Sequence, residues 1–267
     1  MEALAQVDGW PAENVAVAVL TPDRELASRG PRDHVFLWAS VTKLATALAV
    51  LVAAEEGTVD LDEPAGPPGS TVRHLLAHAS GLPFEGTQPI APPGRRRIYS
   101  NAAYDSLAEH LAGRADMSFR DYLEEAVLRP LAMQAELRGR AGAGLWGTLV
   151  DLVAFAGELL RPTLVAPETF AEATTVAFPG LAGVLPDWGR YEPLDWGLGF
   201  ELKDAKVPHW SGSRTSARTF GHFGGAGTFL WVDPDRDLAL ACLTDLEFGA
   251  WAKEAWPRLS DAVLAAT

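Results

Sequence analysis

Strand-forming runs sit at both ends of the chain while its middle is dense with helix starts, and that order restricts the fold more than any single motif. Val15 to Leu20 is a short β-type run, followed by the turn Thr21-Pro22-Asp23 and a second strand near Glu25 to Ser28. The final segment holds Trp196 to Leu202, Thr219 to His222, Gly227 to Val232 and Leu238 to Thr244, which predict consecutive antiparallel strands before a terminal helix from Trp251. Between them, Thr71 before Val72, Ser118 with Asp121, Thr148 with Asp151 and Pro167 with Glu168 mark helix N-termini. Strands at the two ends bury their apolar faces most economically by pairing with each other. The expected fold is therefore α/β of the α+β type: an antiparallel sheet made by both chain ends, flanked by helices, with a mainly helical insertion. Residues 1–59 with 195–267 are expected to form a sheet lobe and residues 60–194 a helical lobe, with the active site in the cleft between them.

Composition narrows the partners. The chain has 267 residues, 48% hydrophobic and 21% charged, enough apolar material for a substantial core and too much for a disordered chain. A net charge of -13 makes nucleic acid and anionic membrane surfaces unfavourable partners. The longest apolar stretch, Leu44 to Ala54, is far short of the ~20 residues of a membrane span and reads as a buried helix. Met1 to Pro11 lacks the basic start and apolar run of a secretory leader, so a cytoplasmic location is expected for the chain as given. The sole cysteine, Cys242, lies in the apolar run Leu238 to Leu243 and reads as a small core residue.

Ser40-Val41-Thr42-Lys43 opens the apolar helix. Three residues are nearly one helical turn, so hydroxyl and amine share a face and can hydrogen-bond. The helix N-terminus stabilises negative charge at Ser40, and the apolar surroundings of Lys43 are expected to lower its pKa toward that of a usable base. Alone, the same four residues also fit a serine N-cap followed by a snorkelling lysine. Two further elements follow in order: Tyr99-Ser100-Asn101 ahead of a helix from Ala102 to Gly113, and His222-Phe223-Gly224 on a late strand.

These elements resemble the serine β-lactamase and penicillin-binding-protein family, which includes AmpC-type lactamases, D-alanyl-D-alanine carboxypeptidases and related esterases. The resemblance runs through Phe36 to Lys43, His74 to Pro83, Pro93-Gly94, Ala143-Gly144-Leu145 with Thr148 and Asp151, Trp196 to Phe200, and Gly221 to Gly225 with Trp231 to Pro234. It implies acylation of Ser40 by an ester or amide carbonyl, with Lys43 as base, and hydrolysis of the acyl-enzyme by water. It also implies that Tyr99, its phenol acidified by Lys43, relays a proton, and that Asn101 orients Lys43 and the substrate. The backbone N–H groups of Ser40 and Gly225 would form the oxyanion pocket, with His222 and Gly224 on the substrate-binding strand. Gly224 and Gly225 would let a substrate approach the backbone closely.

One departure bears on substrate. Many relatives carry lysine where this chain has His222, so recognition of an anionic substrate is expected to be weaker and pH dependent, which leans toward esters. His74 and His78 stand i, i+4 but lack the Glu of a zincin, so no metal is assigned, and no cofactor is implied. Arg95-Arg96-Arg97 could attract a substrate carboxylate near the site, but reads more readily as a solvated loop and is left outside the site. No G-x-S-x-G occurs, which sets aside an α/β-hydrolase. The expected partner is a small ester, amide or β-lactam, without nucleic acid or a membrane span. The competing readings are a D-alanyl-peptide carboxypeptidase or β-lactamase and, from another class, a catalytically silent module that binds peptides or muropeptides.

Overall fold

The computed structural model describes residues 1–267. In chain order its elements are β1 (Val15–Thr21), β2 (Arg24–Arg29), β3 (Phe36–Leu37), α1 (Thr42–Glu55), α2 (Val72–Leu76), β4 (Arg97–Ile98), α3 (Asn101–Ala115) and α4 (Phe119–Leu123), with one π-helical turn over Glu124–Leu128. There follow β5 (Glu136–Leu137), β6 (Leu145–Gly147), α5 (Leu149–Leu160), α6 (Pro167–Ala173), β7 (Gly183–Leu185), β8 (Gly189–Tyr191), β9 (Glu201–Leu202), β10 (Phe220–Gly224), β11 (Thr228–Asp233), β12 (Leu238–Thr244) and α7 (Ala250–Ala266).

Both chain ends build one antiparallel sheet, in the order β2-β1-β12-β11-β10-β9. β1 and β12 pair from Val15 opposite Thr244 to Leu20 opposite Ala239, joining the two ends across the whole chain. Helices cover both faces, so the central strands are apolar on both sides. Ala16, Ala18 and Leu20 of β1 join the larger core beneath α1 and α5, whereas Val17 and Val19 join a second core beneath α7 and the 3-10 helix Glu2–Gly9. Cys242 lies in that second core, fully buried, where loss of hydration pushes its thiol pKa up.

The helix starts behave as local chemistry dictates. Thr148 and Asp151 form a reciprocal capping box, and Ser118 caps α4 at the Asp121 amide. Ser100, rather than Asn101, caps α3, accepting from the Ala103 amide at 2.9 Å and freeing the Asn101 side chain for other partners. α1 is buried at every position from Thr42 to Ala53, because it runs through the centre of the larger core.

Some expectations need correcting. The run from Trp196 is not a full strand: a bridge from Trp196 to Glu201 encloses a turn at Gly197 to Gly199, and only Glu201–Leu202 pairs with β10. The middle of the chain carries short strands as well as helices, including the β7–β8 hairpin beside the parallel strand β4. Arg97 is not solvated. It is buried and donates to the carbonyls of Leu194 at 3.0 Å, Ala77 at 2.5 Å and Ala177 at 2.7 Å, tying three loops together.

Candidate active site

Ser40 sits on a 3-10 turn, Ala39–Val41, that runs directly into α1. Ala39 adopts φ +47°, a left-handed conformation that costs a non-glycine residue on the order of 1 kcal/mol. The turn is clamped from behind. Thr228 donates to the Trp38 carbonyl at 2.8 Å, and a Cβ on Gly224 would lie 2.6 Å from that carbonyl oxygen and 2.5 Å from the Thr228 hydroxyl. Gly224 is thus needed for packing β10 against the nucleophile's turn. Gly225, by contrast, faces open space where a Cβ would point. The expected close approach of a ligand therefore has room at Gly225 and none at Gly224.

Lys43 Nζ has three partners: Gly142 O at 2.7 Å, Asn101 Oδ1 at 2.7 Å and Ser40 Oγ at 3.2 Å. The first two can only accept. A neutral amine has two N–H groups, which these acceptors consume, so its lone pair is left facing the one partner that owns a proton, the Ser40 hydroxyl. The amide orientation on which this depends is set by a third residue. Asn101 Nδ2 donates at 3.0 Å to Glu85, whose carboxylate can only accept, and Glu85 is gripped by Arg140 at 2.7 Å. Arg140 also pairs with Asp105.

Burial lowers the pKa of Lys43 to about 7, with the positive charge of Arg140 adding to the effect and Asp105 and Glu85 opposing it. The neutral-leaning lysine expected from its apolar neighbours is present. Tyr99 runs the other way: burial raises its phenol pKa, and the Ser40 hydroxyl beside it only partly opposes this. The acidified phenol expected from its neighbour Lys43 is therefore incorrect: although the amine lies 4.8 Å from the ring centre, the loss of hydration on burial dominates and holds the phenol protonated.

His222 is buried, its ring 5.5 Å from that of Tyr99 and 5.4 Å from that of Trp196, with no protein partner at either nitrogen. Burial, with Lys43 second, lowers its pKa to about 3, so it is neutral throughout the physiological range. The pH-dependent anion recognition expected for an unperturbed histidine is thereby removed near neutrality. His78 accepts at Nδ1 from the Ser100 amide at 3.1 Å, and its ring packs 4.8 Å from that of Tyr99.

Ser40, Tyr99, His222 and Gly225 line one cavity of about 210 Å³, closed by Phe84, Phe223 and Phe248, with Asp187 and Glu247 as its only other ionisable groups. Lys43 and Asn101 stand behind Ser40, and Gly224 lies under the turn rather than on the cavity wall. The amides of Ser40 and Gly225 find no backbone acceptor. β9 pairs only with Phe220 and Gly221, which leaves the edge of β10 open from His222 onward. Glu85, Arg140 and Gly142 escape a reading of the sequence because none stands at a fixed spacing from Ser40.

The Beta-lactamase family model matches residues 9–135 and 133–264. A β-lactamase from Mycobacterium bovis, seen in a crystal structure, is 53% identical, with a TM-score of 0.98 over 99% of this chain and 98% of its own. The D-alanyl-D-alanine-carboxypeptidase/endopeptidase AmpH of Escherichia coli K12 is 30% identical over 139 residues, 38% of this chain; the match spans only 36% of AmpH. A penicillin-binding protein homologue from Caulobacter crescentus shares the fold, with a TM-score of 0.81 at 19% identity over 100% of this chain and 96% of that one. No helix is long and apolar enough to cross a membrane.

Proposed function

The chain belongs to the Beta-lactamase family, and from that premise we propose that it is a serine hydrolase that cleaves a neutral carboxylic ester or amide through an acyl-Ser40 intermediate. The observation that carries the proposal is the Ser40 to Lys43 contact at 3.2 Å, with the other two partners of the amine unable to give it a proton. In this reading Lys43 takes the Ser40 proton as Oγ attacks the substrate carbonyl. The developing oxyanion lies between the free amides of Ser40 and Gly225. Tyr99, which burial keeps protonated, hands its proton to the leaving group and recovers one from Lys43. Water then hydrolyses the ester at Ser40, with the same groups acting in reverse. The site would lie in the cleft between the lobe of residues 1–59 with 195–267 and that of residues 60–194.

Charge supports a neutral substrate. The acidic side chains lining the Ser40 cavity are Asp187 and Glu247, no lysine or arginine lines it, and the buried His222 offers no cation to a substrate carboxylate. A second reading, hydrolysis of a β-lactam, draws support from the 53% identity to the Mycobacterium bovis β-lactamase. The two are separated by one set of measurements: p-nitrophenyl acetate, a chromogenic cephalosporin and a fluorophosphonate, each with the wild type and Ser40→Ala. Acetate turnover and a fluorophosphonate adduct at Ser40, both lost in Ser40→Ala, are expected, with little cephalosporin turnover. Rapid cephalosporin turnover would establish the second reading. Folded protein that neither turns over an ester nor is labelled would overturn both and favour the silent binding module. Tyr99→Phe is expected to lower kcat for the acetate by on the order of 10² with little change in KM, and an unchanged kcat would remove Tyr99 from the proton path.

A further inference from the structure

The Ser40 cavity does not end at Tyr99. Phe84, Tyr99, Pro186 and Asp187 form walls both of it and of a larger chamber of about 690 Å³, which extends along β4 to the β7–β8 hairpin and is lined by Arg96, Arg97 and Arg190 as well as by apolar side chains. Few large apolar side chains on this protein are exposed, and three of them gather here: Phe84 at 50%, Ile90 at 57% and Val184 at 54%. An isolated exposed apolar side chain means little, but a cluster continuous with a nucleophile's pocket marks a surface that is covered during function. The chamber is too large to be filled by the acyl group of an acetate.

We propose that this chamber holds an apolar limb of the substrate, an alkyl or aryl chain several carbons long attached to the carbonyl or to the leaving oxygen. The inference rests on the hydrolase reading and deepens it by naming the substrate class: esters with one extended hydrophobic arm. The arm leaves the Ser40 pocket between Phe84 and Pro186 and lies against Ile90, Ile98 and Val184. The β7–β8 hairpin forms the far wall, and Gly183 is packed so closely on β4 that a Cβ there would meet the Arg97 backbone at 2.5 Å. That close packing holds the wall in place and leaves the outward-facing Val184 exposed to the limb.

The test is a pair of chain-length series below their aggregation concentrations. Acyl p-nitrophenyl esters from acetate to octanoate vary one limb, and acetates of alcohols from ethyl to octyl vary the other. Each is measured on the wild type, Val184→Asp and Val150→Asp, the last on an exposed face of α5 outside the chamber. A methylene moved from water to an apolar site is worth roughly a fourfold gain, so kcat/KM is expected to rise at least tenfold along one series. The series that rises identifies the limb. Val184→Asp should reduce the long-to-short ratio by about tenfold, and Val150→Asp should leave it unchanged. If the short esters are hydrolysed but neither series rises, or the rise survives Val184→Asp, the chamber is not a substrate subsite although the hydrolase reading stands. If no member of either series is turned over, the hydrolase reading fails and takes the subsite with it.

Discussion

Lys43→Met is expected to lower ester turnover by a factor on the order of 10² to 10⁴ while leaving the fold intact, and to abolish a pH dependence that the wild type shows in both rate and stability. The amine is the group that removes the Ser40 proton, so wild-type kcat/KM should rise with pH through about 7, where the amine becomes neutral. Stability follows from the same titration. In the unfolded chain Lys43 keeps its proton up to its ordinary value of 10.5, whereas in the folded protein it has lost it by about 7. Between these values the unfolded chain binds more protons, so stability must increase with pH. The destabilisation is fully present below about pH 7, amounts to roughly 5 kcal/mol, and fades as pH rises toward 10.5. Methionine carries no titration, so the difference in unfolding free energy between wild type and Lys43→Met should change in favour of the wild type from pH 7 to 9.5. A pH-independent difference, or a variant with wild-type kcat, would show that Lys43 is neither desolvated nor the base.

Glu201→Gln is expected to destabilise the protein by about 3 to 5 kcal/mol at pH 7, although the residue lies behind the site and takes no part in the proposed reaction. Its carboxylate is buried among Lys206 Nζ at 3.0 Å, His209 Nε2 at 3.0 Å and Trp210 Nε1 at 2.8 Å. Burial alone would raise the carboxyl pKa, but the charges of Lys206 and His209 outweigh it and hold the group at about 2. Its stabilising contribution of roughly 3 kcal/mol is therefore complete above about pH 4.5 and lost as pH falls through about 2. Glutamine keeps the shape and removes the charge, leaving the buried Lys206 amine hydrogen-bonded only to the Asp195 and Leu202 carbonyls and the neutral amide. Urea titrations of both proteins at pH 7 and pH 3 are the check: a wide gap at pH 7 that narrows at pH 3 is expected. A variant within 1 kcal/mol of the wild type at pH 7 would mean that water reaches the pair.

Much of the fold is legible because its cues are local. Thr148 with Asp151 caps α5, Thr71 caps α2, and the apolar runs of β1, β11 and β12 match strands buried on both faces. The β7–β8 hairpin escapes because its strands are three residues each and carry little apolar pattern. The turn at Gly197 to Gly199 escapes because a run containing Trp196, Leu198 and Phe200 reads as strand until tertiary packing buries all three.

The site divides along the same line. The partnership of Ser40 and Lys43 was determined by the sequence itself, since an i, i+3 spacing at the start of a helix puts two side chains on one face whatever surrounds them. The low pKa of Lys43 is foreshadowed by the apolar helix, but it required the folded core, which keeps the amine from snorkelling to water. The tertiary structure alone decided which way the Asn101 amide points, through Glu85 and Arg140, and it turned Tyr99 from an acidified phenol into a protonated one. It also removed the charge of His222. Each of these depends on the hydration and hydrogen-bond partners a group keeps after folding, and those are set by residues far away in the chain, where no spacing rule reaches.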